Sequence, residues 1–220
     1  MANLRLRVEV PFACFRKPYA REYLETYDVP PFSTVYGMLL SLVGEEDRLV
    51  HVGASLAIGM VQPAEKSRVI RTTRRWKSPD IAASKNARPD YQEVLSNVDL
   101  LVLLNDGEER SRHKRERSLA DRVTKALASP DTVDRFGGLS LGESRDLVDS
   151  ISPDTRTRPV AWILPEGSPG RPCVLFEGRD LVLPIWVDHV GSAGTRFQNC
   201  QAIELDDDPE PTCWTTITAP

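Results

Sequence analysis

Paired cysteines are missing from this chain. Its four, Cys14, Cys173, Cys200 and Cys213, stand far apart without the short ligand spacing of a zinc site, so they read as free thiols and no metal is expected. Long apolar runs are missing too. No segment approaches the roughly 20 apolar residues that span a bilayer. The opening MANLRLRVEV alternates apolar and polar residues as a strand does, unlike the continuous core of a signal peptide. The expectation is a cytoplasmic protein without membrane contact. Neither the Gly-Lys-Ser/Thr ending of a P-loop nor the spacing of a dinucleotide fingerprint occurs, and no cofactor is expected.

What is present is a globular composition, 40% hydrophobic and 27% charged over 220 residues, enough for one domain or for a core with a smaller appendage. The net charge of −4 argues superficially against a nucleic-acid partner. Its placement matters more than its sum. Basic residues cluster from Lys66 to Lys77 and from Arg110 to Lys125, whereas Glu204 to Glu210 is acidic without Lys or Arg.

The stretch VPPFSTVYGMLLSLVGE, Val29 to Glu45, organises the chain. Pro30 and Pro31 enforce an extended entry. Ser33 is a natural N-cap, Val35, Met38, Leu39 and Leu42 fall at helical spacing, and Gly44 sits where a left-handed C-cap glycine is expected. Gly37 costs the helix about 1 kcal/mol relative to alanine, which implies a close approach there by a neighbouring strand or a ligand backbone.

Before this helix, Leu4 to Val10 alternates as a strand ending at Pro11. The loop that follows interleaves Phe12, Phe15, Tyr19, Tyr23 and Tyr27 with Arg16, Lys17 and Arg21; aromatics among cations stack bases and neutralise phosphates, or simply pack on the core. After the helix, Ala54 to Val61 and Lys66 to Lys77 read as strands. The second carries Arg71, Arg74, Arg75 and Lys77 beside Trp76, a pattern suited to a polyanion or to a solvated sheet edge. Ser78 to Gln92 reads as a loop or hairpin tip and Val98 to Leu104 as a buried strand. Ser118 to Ala128 reads as a helix ended by Pro130. His113 and Lys114, ahead of it, are candidates for acid-base and electrostatic roles, or members of a solvated basic run. FGGLSLGES, Phe136 to Ser144, exposes backbone amides through Gly137, Gly138 and Gly142, and Arg145 to Ile151 is expected to return as a strand. From Pro159 onward, VAWILP, CVLFEG and LVLPIWVDHV suggest short strands. His189 reads as structural, and the tail from Asp206 to Pro220 as exposed and mobile around a Trp214 anchor.

The order strand, helix, strand, strand, helix, strand predicts an α+β class and a ferredoxin-like domain, the topology of RNA-recognition modules. The expected division is 1–152 for that domain with a β-hairpin thumb near 71–97, 153–205 for a small β-rich extension and 206–220 for the acidic tail. PFACFRKP, the TYDVPPFSTVYGMLLSLVGE block, the basic hairpin region and FGGLSLGES together resemble the CRISPR-associated Cas-five family, over about residues 4 to 190. This is the subunit of type I Cascade complexes that holds the 5′ handle of the guide RNA (crRNA).

The resemblance implies that the first helix and the glycine-rich loop cradle the RNA 5′ end. Phe15 and Arg16 would lie near the handle, and Ser33, Tyr36 and Gly37 at the helix start. Arg74, Arg75 and Lys77 would meet phosphates at the thumb base, and Gly137, Gly138 and Gly142 would form the loop. With Arg71 and Trp76 these are the expected RNA-binding residues. Implied partners are the crRNA, a backbone subunit of the Cas-seven family, a large subunit of the Cas-eight family and, through the complex, target DNA. In the I-C branch this subunit is itself a metal-independent endoribonuclease, using a tyrosine late in the first helix and a Lys-His pair ahead of the second. Here Val43 stands six residues after Gly37, and His113-Lys114 reverses the pair. A valine transfers no proton, so no catalytic residues are expected. The alternatives are a nuclease using Tyr36, His113 and Lys114, and a protein-interaction module that never touches RNA.

Overall fold

The computed structural model describes residues 3–20, 23–74, 76–80, 82–109, 117–179 and 181–220. Arg21, Arg75, His113 and Lys114, to which the sequence reading gave possible roles, lie outside that set. Alternation builds the first strand, β1 (Leu4–Ala13). Leu6, Val8 and Val10 are buried on one face, while Arg5, Arg7 and Glu9 take the other. Pro11 does not end this strand as expected. It falls opposite Asn97, whose φ is +56°, at a break in the ladder where its missing N–H is no loss.

After β2 (Tyr23–Leu24) comes α1 (Phe32–Leu42), entered from Pro31 in extended conformation (φ −61°, ψ 147°). The N-cap is Pro31 and not Ser33. The two prolines hold the chain extended up to residue 31, so the helix begins two residues earlier than a Ser33 cap requires, and no side chain caps it. The C-terminal expectation holds. Gly44 (φ +65°) follows Val43, Glu45 N–H donates to Leu40 O at 2.9 Å and Gly44 N–H to Ser41 O at 3.1 Å, the paired bonds of a Schellman motif.

Next come β3 (Ser55–Met60) and β4 (Glu65–Arg74), then β5 (Ala87–Asn105), a strand of 19 residues. Its first half forms a hairpin with β4, in register from Glu65 opposite Ser96 to Arg74 opposite Ala87. Its second half lies between β1 and β3, antiparallel to both. Helix α2 (Leu119–Ala128) is capped by Ser118, whose hydroxyl accepts from Asp121 N–H, and is followed by Pro130. The strand expected at Arg145–Ile151 is instead β6 (Ser150–Pro153), antiparallel to β1.

The sheet continues through β7 (Ala161–Pro165), β8 (Arg171–Pro172), β9 (Val182–Trp186), β10 (Arg196–Glu204) and β11 (Thr215–Thr216). Its main path runs β6-β1-β5-β3-β7-β10-β8. The segment CVLFEG, read as a strand, holds a short 3-10 turn at Val174–Phe176 that buries Phe176. Both helices pack on the face carrying Leu6, Val8, Leu100 and Val102. The opposite face carries Ala57, Leu101, Leu103, Trp162 and Ile203, and is covered by Trp214. The tail is therefore docked and not mobile. Trp214 Nε1 donates to Pro209 O, Arg5 pairs with Asp208, β11 pairs with β3, and Ile217 is buried. Burial of one large aromatic over an apolar face outweighs the acidic run ahead of it.

A buried polar network joins the two helices. Arg122 of α2 donates to Glu45 at 2.6 Å, to Val43 O at 3.0 Å and to His51 Nε2 at 2.8 Å. A guanidinium has no acceptor, so His51 Nε2 accepts, and its Nδ1–H donates to Glu109. Glu109 also accepts the Leu119 N–H at the start of α2. Arg122→Ala removes the guanidinium that pairs with the buried Glu45 carboxylate and is expected to cost about 3 kcal/mol, read as a lowered urea midpoint at unchanged m-value.

Candidate nucleic-acid interface

The start of α1, the turn after it, the glycine-rich loop and the end of β9 enclose a groove of about 330 Å³. Ser33, Tyr36, Gly37 and Gly142, four of the expected RNA-binding residues, line it together with Arg48, Ser140, Trp186 and His189. Gly37 opens onto the groove. A Cβ built there meets no described atom beyond its own helix within 4 Å, so no described strand accounts for the glycine. The N-terminus of α1, with no side-chain cap and no acidic side chain in its first turn, adds the positive end of the helix dipole.

Arg48 supplies the charge. Its guanidinium lies 3.9 Å above the Trp186 ring and donates to Val187 O. Burial pulls its pKa below the ordinary arginine value, and the planar group stays fixed on the aromatic face, an arrangement suited to phosphate or base stacking. Beside it Asp188 accepts from the Val190, Gly191 and Gly194 amides, which hold its carboxyl below the usual carboxylate range and order the turn that carries His189.

Tyr36 is buried, and its hydroxyl donates to Arg48 O at 2.8 Å. Burial pushes its pKa well up, so the phenol holds the Arg48 turn in place and keeps its proton.

Asp146 fixes the loop. Its Oδ2 accepts both Cys14 N–H and Glu143 N–H, each at 2.8 Å, tying the glycine-rich segment to the end of β1. Further bonds from Leu141 N–H to Asp146 O and from Val148 N–H to Leu139 O close it. Gly142 (φ +118°) is required here, since a Cβ would lie 2.7 Å from that same Oδ2. Gly137 (φ +75°) and Gly138 are exposed and outside the groove lining.

The remaining expected residues divide. Phe15 is buried in the main core and does not reach a ligand; with Tyr27 it packs beneath the loop it was expected to decorate. Arg16 is exposed and donates to Ala20 O at 2.8 Å. Arg71 bridges Gln92 at 2.6 Å and Glu143 at 3.0 Å, and Arg145 joins the same two partners, so the hairpin is tied to the glycine-rich loop. Arg74 and Lys77 stand at the far end of the hairpin and not at its base, because pairing begins at Glu65 and the hairpin spans 65–97, not 71–97. Nine steps of antiparallel strand put Arg74 about 30 Å from the base. Trp76 there is 73% exposed.

Arg48, Ser140, Trp186, His189 and Asp146 were missed in the sequence. Trp186 and His189 lay in a run read as a strand with a structural histidine, and Asp146 in a segment read as a strand; only the turn at Asp188 could have hinted at more. Among the described residues, no group of three or more His, Cys, Asp or Glu side chains could hold a metal ion, and no helix is long and apolar enough to cross a membrane.

These features define a mixed α/β protein, a large antiparallel sheet with few helices, whose groove offers amides, a stacked guanidinium and an indole. A family model described as CRISPR-associated protein (Cas_Cas5) matches residues 3–158. The CRISPR-associated protein Cas5 of Myxococcus xanthus (strain DK1622) is 41% identical over 202 residues, covering 89% of this chain and 87% of the relative. Among solved structures, a chain of a CRISPR RNA-guided surveillance complex superposes with TM-score 0.59 at 13% identity, over 92% of this chain and 88% of its own. A CRISPR-associated protein crystal structure gives 0.52 at 12% identity over 95% of both. The chain belongs to the Cas5 family of CRISPR-associated proteins.

Asp146 yields a stability prediction. Burial raises its pKa above the ordinary aspartate value, so its contribution is greatest at low pH and falls as pH rises from the unfolded value of about 3.9 through the raised folded one. Asp146→Asn keeps an oxygen for both amides and should flatten that pH dependence. Asp146→Ala leaves the amides unpaired and should cost about 1–3 kcal/mol, measured by denaturant melts from pH 4 to pH 8.

Proposed function

We propose that this chain is the subunit of a Cascade effector complex that holds the 5′ handle of the crRNA in the groove between α1, the glycine-rich loop and β9, without cutting it. The observation that carries this reading is the convergence, on an open Gly37, of an uncapped helix start, the Gly142 loop and the Arg48–Trp186 stack. Amides and a guanidinium take phosphate, and an indole takes a base. The domain is of the ferredoxin-like kind. Strand order β6-β1-β5-β3, with α1 following β1 and α2 following β5, is that plan's order once the hairpin is set aside as an excursion of β4 and β5. The solved chain with the same fold that belongs to an RNA-guided surveillance complex is consistent with this role.

In the complex the 65–97 hairpin lies along the backbone subunit, and the large subunit reads the protospacer-adjacent motif from the other side, in the cytoplasm. Binding without cleavage follows from Val43, which carries no proton, and from Tyr36, whose phenol is engaged with Arg48 O. Purified protein with labelled repeat RNA in EDTA is expected to leave the RNA whole. Specific cleavage lost on His113→Ala would overturn that part. Trp186→Ala and Arg48→Ala should each weaken handle RNA by about 5–50-fold and erase the preference for intact over scrambled handle in a titration. Equal weak binding of both RNAs by the wild type, alone and with its backbone subunit, would contradict the proposal.

A further inference from the structure

A second cleft, of about 560 Å³, shares no lining residue with the groove. It opens where α1 ends. Its walls are the Val43–Gly44 turn, the side of α2 carrying Arg122 and Lys125, Arg117 just before the Ser118 cap, and the segment to Asp134. Arg122 and Lys125 are three residues apart on one helix and so share a face. The Arg122 guanidinium is immobilised by Glu45, His51 and Val43 O. Arg117 and Lys125 are exposed, and their side chains take part in no ion pair or hydrogen bond among the described residues. Asp134 is the acidic member of the lining. The floor is closely packed, since Gly44 is left-handed and any side chain there would strike the Asp134 carbonyl.

Two unpartnered cations on a concave wall concentrate positive potential. Among the described residues the lining has no aromatic side chain on which a base could stack. Such a surface takes backbone phosphate and ignores sequence. Helix α1 spans about 16 Å, which puts this cleft within short reach of a strand leaving the groove. We infer that Arg117 and Lys125 bind backbone phosphates of the single-stranded RNA beyond the groove, a second, sequence-independent RNA contact. This rests on the RNA-binding reading of the groove.

Binding of fluorescent repeat-derived RNA, with intact or scrambled handle, across a salt series tests it. Each phosphate neutralised on a single strand contributes about −0.7 to the slope of log K against log salt, so Arg117→Ala with Lys125→Ala should reduce the slope's magnitude by about 1.4. Affinity should fall equally for both RNAs, at an unchanged thermal midpoint. The charge-retaining pair Arg117→Lys with Lys125→Arg should keep the wild-type slope. An alanine pair with the wild-type slope, while Trp186→Ala loses handle preference, overturns this inference and leaves the groove reading intact; that outcome would fit a cleft for an acidic protein partner. A charge-retaining pair that falls as far as the alanine pair overturns it as well. A wild-type chain that binds neither RNA overturns both readings.

Discussion

One strand serves two structures. The C-terminal half of β5 is a central strand, clasped by β1 and β3 with Leu100, Val102 and Leu104 in the helix-side core, and its N-terminal half is one rail of the hairpin. The change occurs at Asn97, the left-handed residue opposite Pro11. Because the strand is continuous, the hairpin inherits its direction from the most buried part of the sheet. It is further held by Arg71 on Glu143, so hairpin, glycine-rich loop and core move as one framework.

That framework decides which surface can face RNA. A sheet of this order usually presents its helix-free face to bases. Here that face is closed by Trp214 and the docked C-terminal segment over Trp162, Leu101 and Leu103. In the groove the aromatic stacked against a cation is Trp186, at the end of β9 and beneath Arg48. Helix α1, uncapped at one end and closed by a Schellman turn at the other, then separates two basic concavities. One has an indole and backbone amides, the other has cations beside Asp134 and no described aromatic. The first chemistry suits a base together with its phosphate, the second a phosphate alone.

Local rules made much of this legible. Gly44, Ser118 and Pro130 marked helix ends correctly because each acts within its own turn. The apolar alternation of β1 and the run at Val98–Leu104 gave the centre of the sheet. The hairpin's extent was not legible, since Ser78 to Gln92, with Pro79 and Pro89, read as a loop or hairpin tip, although Ala87 to Gln92 is already part of β5. Pairing across ten positions overrides those preferences, and Pro89 faces an edge without a described strand. The tail's docking depends on one long-range aromatic contact, which an acidic composition conceals. Of the groove-lining residues, Ser33, Gly37 and Gly142 were singled out by helix and loop signatures and Tyr36 by the family resemblance. Arg48, Trp186 and Asp146 were not, because each acts on a segment far away in sequence and no spacing encodes such a meeting.

Hydrogen–deuterium exchange with and without handle RNA tests the central claim most directly. The account predicts slowed exchange at residues 33–41, 140–146 and 186–191, the three segments that meet in the groove, with the sheet face under Trp214 unchanged. Protection confined to the sheet face or the hairpin, with those three segments exchanging as in the free protein, would contradict it.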